Sequence, residues 1–87
     1  MKIQLSNKAK KQLEKISKAD KKLALQVKNA IIESSNNPYE NPKVKMLTGD
    51  FKGYFRIRVR DYRIIFTIES NTMLIATINN RKDTYNG

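Results

Sequence analysis

Residues 54–69 read YFRIRVRDYRIIFTIE, and the alternation in them decides what kind of protein this is. Phe55, Ile57 and Val59 alternate with Tyr54, Arg56, Arg58 and Arg60. Strict alternation marks a strand with one face in a core and the other in water. YRIIFTIE follows directly after Asp61 and reads as the next strand, so the stretch forms an antiparallel hairpin. Four of the chain's five arginines fall in residues 54–63, the fifth being Arg81, while lysine serves everywhere before them. Solubility alone would be met by either residue. Arginine carries a planar, permanently charged fork that grips phosphate through paired hydrogen bonds. Same-face residues on a strand stand about 7 Å apart, close to the spacing of phosphates along an extended single strand.

Outward from this hairpin, SNT is a turn and MLIATIN a third strand, apolar on both sides and therefore expected inside the sheet. Upstream, VKMLTG reads as a strand ending at Gly49, and DFKG as a turn. The first half of the chain has the other period. KIQL is a short opening strand with Ile3 and Leu5 on one face. NKAKKQLEKIS carries Ala9, Leu13 and Ile16 at helical spacing behind a cap at Ser6 or Asn7. A second helix follows a cap at Ser17 or Asp20, with Leu23, Val27, Ala30 and Ile31 as its apolar face. NNPYENPK breaks helix twice, at Pro38 and Pro42. The expectation is an α+β fold: an αα-hairpin packed on one face of a mainly antiparallel sheet of four to five strands, one domain over residues 1–87. Its arginine face would be left open.

Composition narrows the chemistry. Eighteen Lys+Arg against eight Asp+Glu give a formal charge of +10, which suits a polyanionic partner. Cysteine and histidine are absent, which excludes disulfides, thiolate nucleophiles, His-ligated metals and His-based general acid–base chemistry. Asp50, Asp61, Glu69 and Asp83 have no metal-ligand spacing and read as turn residues or partners of basic neighbours. The three glycines form no phosphate loop. No metal and no cofactor is expected. MKIQLSNKAKK lacks a signal-peptide pattern and no apolar run spans a membrane, so the expected location is cytoplasmic, with no membrane partner.

The order of these features resembles the RelE/ParE superfamily of bacterial toxins from toxin–antitoxin pairs. Two lysine-rich helices, LTGDFKGYFRIRVRDYRIIFTI and the terminal INNRKDTY carry the resemblance over nearly the whole chain. Leu47, Gly49, Tyr62 and Arg63 stand where the family pattern places such residues. A RelE-type member would cut mRNA in the ribosomal A site without metal, the ribose 2′-OH attacking the adjacent phosphorus to leave a 2′,3′-cyclic phosphate. The resemblance gives catalytic roles to Arg56, Arg58, Arg63, Arg81 and Tyr85, the tyrosine stacking on a base beside the cut. Tyr54, Lys52, Arg60 and Lys82 become RNA-binding residues by position and charge. The implied partners are a cognate antitoxin and the ribosome with mRNA in its A site. Many relatives have a histidine where Asn80 stands and some have lysine where the strand arginines stand, so the sequence names no general base. The other branch of the superfamily inhibits DNA gyrase without cutting RNA, and an RNA-binding module without catalysis is the third alternative.

Overall fold

A computed structural model describes residues 1–81 of the chain. The elements run β1 (Lys2–Leu5), α1 (Asn7–Ala19), α2 (Lys21–Asn36), β2 (Lys45–Met46), a 3-10 turn (Gly49–Phe51), β3 (Phe55–Val59), β4 (Tyr62–Glu69) and β5 (Thr72–Asn80). They build a five-stranded sheet in the order β1-β5-β4-β3-β2, antiparallel except for the β1–β5 pair. The two helices cover one face of it. This is the architecture expected from the two periodicities.

Capping sets the helix boundaries. The Ser6 hydroxyl accepts the Ala9 N–H at 3.0 Å and opens α1. Asp20 accepts the Leu23 N–H at 3.1 Å and opens α2, while its own backbone N–H closes α1 on Ile16. One residue thus separates the helices, which forces them into a tight hairpin. Their apolar stripes meet the sheet through Ala9, Ile16, Ala24, Val27 and Ile31, and the sheet answers with Phe55, Ile57, Ile64, Phe66, Met73, Ile75 and Ile78. Phe55 and Phe66 stack at 5.4 Å across β3 and β4. Tyr62 lies opposite Val59 on this same face and is half-buried against the core, away from the arginines.

Two details shape the other face. Register slips between Ile65 and Phe66, whose partners on β5 are Thr77 and Ile75, so Ala76 is an extra residue in the ladder. Such a bulge bends a strand and re-aims its side chains. At the bulge β5 also changes neighbour: β1 pairs with it only as far as Ile75. Beyond that point α1 replaces the missing strand. The Ser6 hydroxyl donates to the Ala76 carbonyl at 2.7 Å, and Gln12 Oε1 accepts the Ile78 N–H at 2.6 Å. A helix side chain therefore satisfies an edge donor that would otherwise face water. The first turn of α1 is pulled around toward the open face.

The reading of 44–49 as one strand is corrected. Only Lys45 and Met46 pair with β3 as a strand. Leu47 still donates to Tyr54 O at 2.9 Å, but at Gly49 the chain takes φ +69, a left-handed conformation, and turns into the 3-10 segment. The Ser70–Asn71 turn is as expected, both residues having positive φ (47 and 58).

Candidate nucleic-acid interface

The hairpin register fixes where the arginines stand. Arg56 pairs with Ile65, and Arg58 with Arg63, all on the face away from the helices. On the far side of β4, Ile65 meets Thr77 and Arg63 meets Asn79. Directly opposite residues are about 5 Å apart and diagonal ones about 7–8 Å, so Arg56, Arg58 and Arg63 are neighbours in the ladder. Two like charges set directly opposite each other destabilise a sheet. Arg58 and Arg63 are such a pair, and among the described residues no carboxylate lies within ion-pair distance of either.

Arg56 and Arg63 lie on a groove of about 550 Å³. Its wall on one side is the 49–54 turn, contributing Asp50, Phe51 and Tyr54 below Leu47. On the other side stand Ala76, Thr77 and Asn79 of the bulged strand, with Lys8 from the first turn of α1. Phe51 and Tyr54 meet edge to face, with ring centroids 6.5 Å apart, and Phe51 is 60% exposed. Asn79 is held by Gln12, whose amide nitrogen donates to its side-chain oxygen at 2.9 Å. Cations and a free aromatic surface thus share one groove of roughly nucleotide size. Cations suit a phosphate and an exposed aromatic ring suits a stacked base.

Arg63 is distinctive within it. Its Nε is buried and has no hydrogen-bond partner among the described residues. A buried donor left unmade costs about 1–3 kcal/mol, more when charged, so Arg63 is held here at a cost to the fold.

The remaining expected site residues are dispersed. Arg58 is exposed and borders a smaller hollow of about 260 Å³ along the β3 edge, lined also by Gln26 and Glu33 of α2. Arg60 is exposed in the hairpin turn at φ +54, and Lys52 is exposed after the 3-10 segment; neither lines the groove. The Arg81 N–H donates to Asp61 O, which pins the end of β5 beside the β3–β4 turn, on the side of the sheet where Arg58 and Arg63 pair. Its side chain is exposed and outside the groove. Lys82 and Tyr85 lie outside the described residues. Sequence reasoning missed Lys8, Asp50, Phe51 and Asn79. Phe51 alone gave a signal, as an aromatic residue inside an otherwise polar turn.

Residues 3–85 match the profile described as "ParE toxin of type II toxin-antitoxin system, parDE". The chain belongs to this toxin family. The RelE/ParE resemblance read from the motifs is therefore right. Solved structures with the same fold include a YoeB/ParE toxin from Agrobacterium tumefaciens, with TM-score 0.82 and 15% identity over 92% of this chain and 98% of that one. The toxin of a YoeB–YefM complex from Staphylococcus aureus superposes with TM-score 0.78 at 20% identity, covering 91% of this chain and 94% of that one. A RelB–RelE antitoxin–toxin complex from Methanococcus jannaschii gives TM-score 0.75 at 25% identity, over 95% of each chain. No curated protein sequence matches the chain. Among the described residues, the groove with Arg56 and Arg63 combines cations with the rings of Phe51 and Tyr54. No helix among the described residues is long and apolar enough to cross a membrane.

Proposed function

We propose that this toxin is a ribosome-dependent endoribonuclease that cuts mRNA in the A site and so blocks translation. The observation that carries the reading is that Arg56 and Arg63 line one groove together with the exposed ring of Phe51. Attack of a ribose 2′-OH on the neighbouring phosphorus concentrates negative charge on the non-bridging oxygens. Donors fixed beforehand at that point stabilise the transition state more than the ground state. Arg56 and Arg63 take the scissile phosphate, Arg58 and Arg81 the flanking backbone, and Phe51 with Tyr54 the base. Tyr85 keeps its proposed stacking role, and Lys52, Arg60 and Lys82 add sequence-independent attraction to RNA. One carboxylate among three cations makes the described groove an anion site, and the chemistry we propose uses no metal or cofactor of the protein's own. The ribosome would position the message, and a cognate antitoxin, acidic and partly apolar, would cover the cations when the toxin is silent.

The profile's own name, ParE toxin, favours a second reading, in which the protein inhibits DNA gyrase and cuts nothing. A cell-free translation reaction read by primer extension separates the two, with gyrase supercoiling of a plasmid measured in parallel. We expect new 5′ ends within A-site codons and unchanged supercoiling. Intact message with blocked supercoiling would replace the nuclease by the gyrase inhibitor. Neither effect would leave an RNA-binding module.

A further inference from the structure

The chain has no histidine and no cysteine, and the groove sets Arg56 and Arg63, which do not give up a proton in proteins, on a lining with one lysine, Lys8. A 2′-OH must still lose a proton to attack. We propose that Asp50 is the general base. This rests on the cleavage reading above and assigns the one role that reading leaves empty.

Three observations place Asp50 there. It is the only acid among the described residues that lines the groove holding Arg56 and Arg63. Asp20 is spent as a helix cap, Asp61 lies in the hairpin turn, and Glu33 borders the other hollow. Secondly, Asp50 makes no hydrogen bond or ion pair with any described residue, so its lone pairs are open, as a base requires. Thirdly, it stands on the 3-10 turn beside Phe51, which lines the same groove. A base stacked on Phe51 with its 3′ phosphate on Arg56 and Arg63 puts the intervening ribose between Asp50 and the arginines. In a near-attack arrangement the 2′-oxygen is about 3–3.5 Å from phosphorus, so a base on the same groove wall is within reach.

The step balances without a co-reactant. The 2′-OH proton passes to an Asp50 carboxylate oxygen as the 2′-oxygen–phosphorus bond forms. The phosphorus–5′-oxygen bond breaks, and the departing 5′-oxygen takes a proton from water. Asp50 then returns its proton to solvent. Arg56 and Arg63 hold the added charge on the non-bridging oxygens throughout.

The test is single-turnover cleavage of mRNA on programmed ribosomes by wild type, Asp50→Asn and Asp50→Glu, each across pH 6–8.5. Removing a general base typically costs on the order of a hundredfold or more, and Asn keeps the size and shape of the side chain. Asp50→Asn should lose at least that much with unchanged ribosome binding and melting temperature, and Asp50→Glu should recover part of it. With the base gone, hydroxide must take the proton, so the residual Asp50→Asn rate should climb about tenfold per pH unit while the wild-type rate rises less steeply. A purely structural role would lower the rate without changing that slope. Cleavage by Asp50→Asn within threefold of wild type, or with the wild-type slope, overturns the assignment and leaves the nuclease reading intact. An uncut message with wild-type protein overturns both.

Discussion

Arg63→Ala is expected to reduce mRNA cleavage on the ribosome by a hundredfold or more while leaving the protein folded. A transition-state donor fixed in a groove is worth about 3 kcal/mol, and Arg63 lines the groove together with Arg56. Losing it should not unfold the chain. The substitution removes an unmet buried N–H and also the repulsion from Arg58 directly opposite, each of which counts against the native state. The melting temperature of Arg63→Ala should therefore equal or exceed that of wild type, a signature that separates a functional arginine from a structural one. Arg56→Ala should lose activity on the same scale, because it lines the same groove. Rapid-quench cleavage paired with thermal melts checks both. An Arg63→Ala protein that cuts within threefold of wild type, or one that fails to fold, would contradict the role given to this residue.

Ile57→Asp is expected to have the opposite profile, loss of the fold itself. Ile57 is 1% exposed and faces Ile64, which is fully buried, beneath the helices. An unpaired carboxylate there costs several kcal/mol, against a total stability of about 5–15 kcal/mol for a domain of ordinary size. One position further along the strand, Arg58→Ala changes an exposed side chain and should move stability by no more than about 0.5 kcal/mol, upward if repulsion dominates. Circular dichroism melts of the two variants measure the contrast. A cooperative Ile57→Asp transition within a few degrees of wild type would mean that the faces of β3 are assigned the wrong way round.

These two neighbours show why so much of the fold could be read directly. Period-2 alternation at residues 55–59 and period-3.6 stripes at Ala9, Leu13 and Ile16 each name a buried face locally, and the structure buries those faces. For the α2 cap the sequence offered Ser17 or Asp20, and the structure uses Asp20. The bulge left only a faint trace: Met73 and Ile75 keep step, but the next buried residue is Ile78, three positions on. Alternation cannot say which neighbour causes such a slip, and here it is a change from strand to helix across the edge of β5. The candidate site was legible only in part. Arg56, Arg63 and Tyr54 announce themselves by residue type and face. Lys8 does not, being one cation among many on a lysine-rich helix, and only the path of α1 around the bulge brings it to the groove. Asp50 looked like a turn former, and it is one; its place on the groove wall depends on Gly49 bending the chain. Arg60 carried the same strand signal as Arg58, but the hairpin turns at it; neither lines the groove, Arg58 bordering the smaller hollow beside α2.

The claim at the centre is that fixed guanidinium groups drive 2′-OH attack on phosphorus. The chemical ends of the cut message test it most directly. Purified toxin acting on programmed ribosomes should leave a 2′,3′-cyclic phosphate on the upstream fragment and a 5′-hydroxyl on the downstream one, identified by mass spectrometry of the terminal nucleotides. Replacing the 2′-OH at the cut site by a 2′-O-methyl group should abolish cleavage. A 3′-hydroxyl with a 5′-phosphate, or cleavage that survives the 2′-O-methyl group, would contradict the account.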